Sequence, residues 1–129
     1  MTIKKIIAVC LCTIGVAAPL AQADVYELRT YTTYEGRLDD LLARFENHTM
    51  RLFERHGIHN VAYWMPQDQA DTLIYIVSHP DREAAAANWD AFRSDQEWLE
   101  AREASRRNGA LVQEVVSVYM DATPWSPMQ

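Results

Sequence analysis

The sequence predicts an α+β domain of split βαβ type, a four-stranded antiparallel sheet with its helices on one face. Three observations lead there. Segments with strand and helix periodicity follow one another as strand, helix, two strands, helix pair, strand. One short connection joins the two adjacent strands, and the other two connections are helical crossovers. Gly36, Gly57 and Gly109 all fall at junctions between these segments, and no repeat, linker or low-complexity run interrupts them.

Residues 1–23 read as an export leader rather than as fold. Lys4 and Lys5 form a positive start, Ile6 to Leu20 is nearly unbroken apolar sequence, and Ala21-Gln22-Ala23 supplies the small residues a signal peptidase reads. The apolar run is shorter than the ~20 residues of a comfortable membrane span. Cleavage after Ala23 is expected, with export to the periplasm or beyond and no membrane association afterwards. A retained N-terminal anchor is the alternative. Cys10 and Cys12 both lie in the leader, so the mature chain would have no disulfide, thiolate ligand or cysteine nucleophile. Losing Lys4 and Lys5 from 12 basic residues leaves ten, all arginine, against 18 acids. A net charge of about −8 excludes nucleic acid and anionic lipid as electrostatic partners.

The domain proper is expected over 24–122, with a tail at 123–129. Val25–Thr33 alternates as a strand, placing Val25, Glu27, Arg29 and Tyr31 on one face. Gly36 to His56 reads as one long helix whose stripe includes Leu38, Leu41, Leu42, Phe45, Thr49, Leu52, Phe53 and His56. Asp39 and Asp40 suit its start, Arg51 and Arg55 suit its end, and Gly57 terminates it. His59–Met65 is the second strand. Thr72–Ser78 is the third, apolar on both faces and so expected to be covered on both sides. Pro80 suits the first turn of a second helix carrying Ala85, Trp89 and Phe92. Ser94-Asp95-Gln96-Glu97 matches a capping box that restarts the helix, with Trp98, Leu99 and Arg102 beyond it. Leu111–Met120 is the last strand. Helices cover one side of such a sheet, so the expected cover for the other is the same sheet of a second subunit, a homodimer.

The order and spacing of several of these segments resemble the NIPSNAP family over about Val25 to Pro127. The resemblance is carried by Glu27, Leu28, Arg29 and Tyr31 at the start and by the helix start at Gly36. HTMRLFERHGI, the Tyr63-Trp64 pair and the Trp89…Phe92…Trp98 region extend it. It implies a ferredoxin-like fold that dimerises into an α/β barrel. Antibiotic-biosynthesis monooxygenases, which work without a cofactor, and EthD-like proteins share that architecture. The family has no agreed reaction, so no catalytic residue is carried over.

The expected site is a pocket between helices and sheet. Its candidate ligand-binding residues are Arg29, Tyr31, His48, Thr49, His56, Tyr63, Trp64, Tyr75 and His79. Aromatic walls with a few convergent polar groups hold small planar molecules. Arg29 would anchor a carboxylate or enolate, and His48 or His56 would move a proton near neutral pH. These three are the catalytic candidates. The competing account pairs Arg29 with Glu27 or Glu114 and assigns the aromatics to the core. No metal site is expected, because His56 and His59 straddle Gly57, and His48 and His79 lack a third ligand. The glycines sit at helix ends rather than in a phosphate loop, and no cofactor is expected. The function predicted is binding, and in a further step transformation by cofactor-independent oxygenation or isomerisation, of a small aromatic or hydrophobic molecule. The alternative is a non-enzymatic scaffold acting through its dimer surface and the Trp125-bearing tail.

Overall fold

A computed structural model describes residues 14–17 and 23–129; the leader and its cleavage otherwise lie outside the described residues. Strand β1 (Val25–Thr33) is followed by helix α1 (Leu38–Arg44), which passes through one π-helical turn (Phe45–Thr49) into α2 (Met50–Arg55). Strands β2 (His59–Trp64) and β3 (Thr72–His79), helices α3 (Arg82–Ser94) and α4 (Gln96–Ser105), and strand β4 (Val112–Asp121) complete the domain. The sheet order is β2-β3-β1-β4 with every pair antiparallel. This is the ferredoxin-like α+β arrangement.

Register sets the chemistry of the helix-covered face. Glu27 lies opposite Val77 and Tyr119, Arg29 opposite Tyr75 and Ser117, and Tyr31 opposite Leu73 and Val115. Alternation puts all of these on one side. Leu41, Phe45, Leu52 and Phe53 of the first helical segment and Ala85, Trp89 and Phe92 of α3 close over the β1 and β3 members, while Val115 and Ser117 on the edge strand β4 remain exposed. The result is a packed aromatic interior: Tyr63 stacks on Tyr75 with centroids 5.1 Å apart, and Phe45, Phe53 and Tyr31 surround that pair.

Several local expectations shift. The first helix is not uniform: the π-helical turn inserts between α1 and α2 and keeps both Phe45 and Thr49 buried. Thr49 Oγ1 donates to the Arg44 carbonyl at 3.2 Å, so a polar side chain on an apolar stripe is spent on backbone. Pro80 precedes the second helix instead of lying in its first turn. Asp81 caps α3, accepting from the Ala84 N–H at 2.7 Å. Asp95, one residue after the expected Ser94, caps α4 and accepts from the Glu97 and Trp98 N–H groups. Ser94 instead donates to the Asp90 carbonyl. Gly57 has φ +74° and ends α2 as expected.

The second face of the sheet carries Leu28, Thr30, Ile74 and Ile76, all half-buried, with Val116 and Val118 exposed beside them. Within one chain, β3 is therefore fully covered only on its helix side. The tail partly covers one end of this face, where Tyr26, Ile76, Met120, Trp125 and Met128 line an apolar cleft of ≈ 290 Å³.

Candidate functional site

Glu27 is the polar centre of the covered face. It is fully buried, and its carboxylate accepts four bonds. Arg29 Nη1 (2.6 Å) and Ser117 Oγ (3.0 Å) donate to Oε2, while Trp89 Nε1 donates to Oε1 (2.7 Å), which also lies 3.1 Å from His79 Nε2. Burial by itself would raise this carboxyl. Hydrogen bonds from His79, Arg29 and Trp89, with the Arg29 charge, outweigh it and hold the group well below the usual carboxylate range. Such a carboxylate stays ionised and is not a proton donor at neutral pH.

Arg29 is accordingly paired, as the competing account of the sequence has it, and with Glu27 rather than Glu114. Its guanidinium lies 4.5 Å over the Trp89 ring and 5.6 Å from the Tyr31 centroid. Its Nη2 reaches Tyr31 Oη at 3.4 Å, while Nε has no acceptor among the described residues. The charge is largely balanced from behind, which leaves edges rather than a full positive charge for an external anion. Tyr75 donates to Tyr31 Oη at 3.2 Å, and Tyr63 donates to Asn60 Oδ1. Burial pushes the Tyr63 and Tyr75 hydroxyls upward, so both remain neutral phenols.

The remaining expected residues separate into different places. His79 is fully buried against Glu27. His56 Nε2 lies 2.7 Å from Asp95 Oδ2 at the α3–α4 corner. That bond, against desolvation and with help from Arg55, lowers the Asp95 carboxyl to about 2. His48 faces a polar cleft between the first helical segment and α4, beside Arg37, Asn47 and Asn108. Thr49 is bonded to backbone, as above. Trp64 is half exposed on the opposite face from Tyr63, because adjacent strand residues point to opposite sides; the two cannot line one pocket. Among the described residues, no three His, Cys, Asp or Glu side chains converge as a metal-binding group.

What the fold does bring together is a cleft of ≈ 330 Å³ between β1 and helices α3 and α4. Arg29 and Tyr31 form its sheet wall, Trp89, Phe92 and Arg93 come from α3, and Trp98, Leu99 and Arg102 from α4. Four aromatic side chains and three guanidinium groups thus share one concavity. Of these residues only Arg29 and Tyr31 were site candidates from sequence. The signal for the rest was present in the spacing: Trp89–Phe92–Arg93 and Trp98–Leu99–Arg102 are i, i+3, i+4 and i, i+1, i+4 sets on consecutive helices.

A family model described as NIPSNAP matches residues 26–127. The chain belongs to the NIPSNAP family. A NIPSNAP family protein with unknown function from Agrobacterium tumefaciens superposes with a TM-score of 0.73 at 19% identity, covering 84% of this chain and 96% of that one. A NIPSNAP-like domain protein from Burkholderia xenovorans gives 0.71 at 14% identity, over 82% and 90%. An antibiotic biosynthesis monooxygenase gives 0.54 at 18% identity, over 78% and 99%. Likeness at these identities extends to the fold. A comparison by sequence with curated proteins found no match.

Proposed function

We propose that this NIPSNAP protein is an exported homodimeric domain that binds a small aromatic or hydrophobic molecule in the cleft between β1, α3 and α4. The observation that carries the reading is the cleft itself. Its ≈ 330 Å³ lies at the lower end of ordinary ligand sites, and its walls combine Tyr31, Trp89, Phe92 and Trp98 with guanidinium edges. A flat ligand would stack on the indoles, and a carboxylate or enolate on it would meet Arg93 and Arg102. The role is binding; none of His48, His56 or His79 lines the cleft, so a chemical step there lacks a histidine to move the proton.

The homodimer reading is supported by the uncovered sheet face, where Val116 and Val118 are 47% and 46% exposed beside half-buried Leu28, Ile74 and Ile76. The export reading rests on the leader composition. A second reading, a scaffold acting through this face and the tail, is favoured by the 82% exposure of Trp125.

The test is a tryptophan-fluorescence titration of the natively purified mature protein with a panel of bicyclic aromatic acids, alongside native mass spectrometry for retained ligand. The expected result is saturable quenching that Trp98→Ala abolishes. No retained ligand, and no saturable response across the panel, would overturn the binding reading.

A further inference from the structure

Arg44 is the last residue of α1 and is only 7% exposed, yet its polar and aromatic partners among the described residues are uncharged. Nη1 donates to Ser105 Oγ at 3.2 Å, and the guanidinium carbon lies 5.0 Å from the Trp98 ring centroid. Among the described residues its Nε–H has no acceptor and no carboxylate lies within 4 Å of the guanidinium. A buried guanidinium ordinarily has an anionic partner, because desolvation otherwise weighs against the charged form. The neighbours make matters worse. Arg102 and Arg106 join Arg44 around a small cleft of ≈ 100 Å³ bounded by Ala110, Leu111 and Val112. Neither of them has a carboxylate within that distance among the described residues. Burial first, and then repulsion from Arg102 and Arg106, push the Arg44 guanidinium below its ordinary value.

Three guanidinium groups without an acid are out of keeping with a chain of formal charge −6, whose other arginines mostly take carboxylate partners. We propose that Arg44, Arg102 and Arg106 form a binding site for a small, multiply charged oxyanion of the phosphate or sulfate type, free or as the head group of a larger molecule. A dianion supplies what a single carboxylate would not: two negative charges against the three cations, and oxygens on several sides to accept from more than one guanidinium fork. Arg102 also lines the aromatic cleft, so the body of a larger ligand would extend there. That extension rests on the proposed function above; the anion site does not.

The experiment follows the arginine Nε–H resonances of the mature protein by ¹⁵N NMR during titration with inorganic phosphate, ionic strength being held constant with sodium chloride. The expected result is a saturable shift of one solvent-protected Nε–H, absent in Arg44→Lys, with affinity reduced roughly 10-fold or more in Arg106→Gln, as the loss of one charge-assisted bond implies. Arg106 is half-buried, so its variant keeps the test open should the Arg44 variant fail to fold. Phosphate shifts that never saturate, or that match between the wild type and Arg106→Gln, would overturn the site and leave Arg44 as a packing cation on Trp98. Titration with 2-naphthoate separates the two ideas. Phosphate binding with no response to 2-naphthoate or to the rest of the aromatic panel leaves the anion site standing and sinks the aromatic cleft; aromatic binding without a phosphate response sinks the anion site alone. A naphthyl sulfate that binds more tightly than inorganic sulfate identifies a head group, and equal affinities identify a free ion.

Discussion

Replacing Glu27 by Gln keeps the shape of the side chain and removes its charge. Four donors or donor-capable groups converge on the two oxygens, and a glutamine keeps only one of those oxygens. Whichever way the amide turns, its NH₂ meets either Arg29 and Ser117 or Trp89 and His79. Arg29, whose side chain is 14% exposed, then loses its one ion-pair partner among the described residues. Removing one member of a buried ion pair costs about 3–5 kcal/mol. At about 4 °C per kcal/mol for a domain of this size, the melting temperature falls by roughly 12–20 °C. The pH dependence has a definite sign. The folded-state value is depressed below the ordinary 4.5, so the carboxylate's contribution is complete above that value and is lost as pH falls from it toward the folded value. Urea unfolding of wild type and Glu27→Gln at pH 7 and pH 3 reads both effects. The difference should be large at pH 7 and clearly smaller at pH 3. A loss below about 1 kcal/mol at pH 7, or an equal difference at both values, would refute the assignment of Glu27 as an ionised hub.

Gly57→Ala should destabilise more than Gly36→Ala in denaturant melts: both have φ +74°, but a Cβ at Gly57 would lie 2.8 Å from Asn88 Nδ2 whereas Gly36 faces open space. The backbone term common to both is about 1 kcal/mol, and equal losses would show that Asn88 yields freely. Asp81→Ala should cost about 1 kcal/mol as a lost helix cap. Asp95→Ala should lower the melting temperature further, because it also releases His56 and Arg55; calorimetry of the pair decides the order. Val118→Arg on the open sheet face should convert the proposed dimer to a monomer in light scattering while leaving the circular dichroism spectrum unchanged; a wild-type monomer would refute the proposed dimer, and a Val118→Arg dimer would place the interface elsewhere.

The residues of the candidate cleft were legible in part. Arg29 and Tyr31 were placed together by strand alternation alone, and their neighbourhood is where the cleft forms. The histidines drew attention for their chemistry, yet each met a different partner: Glu27, Asp95 or a polar cleft. Nothing local in the sequence says which carboxylate a histidine will reach across a fold. Trp89, Trp98 and Arg102 read as helix-stripe residues, and only the angle between α3 and α4 makes them walls of one concavity.

By itself the sequence determined the element order, the strand face that carries Glu27, Arg29 and Tyr31, the restart of the helix near Asp95 and the glycine stop at Gly57. These follow from periodicity and local backbone preference, which act over a few residues. The tertiary structure decided what depends on distant partners. The register shift between Asn60 and Ala62 turns Tyr63 inward onto Tyr75 and Trp64 outward. The π-helical turn at Phe45–Thr49 divides what local periodicity reads as one continuous helix. Arg44 meets Arg102 and Arg106 only because α1 packs on α4. A one-residue slip or a helix crossing rearranges all of these without altering any local pattern, so the chemistry of this NIPSNAP protein is set by how its elements meet.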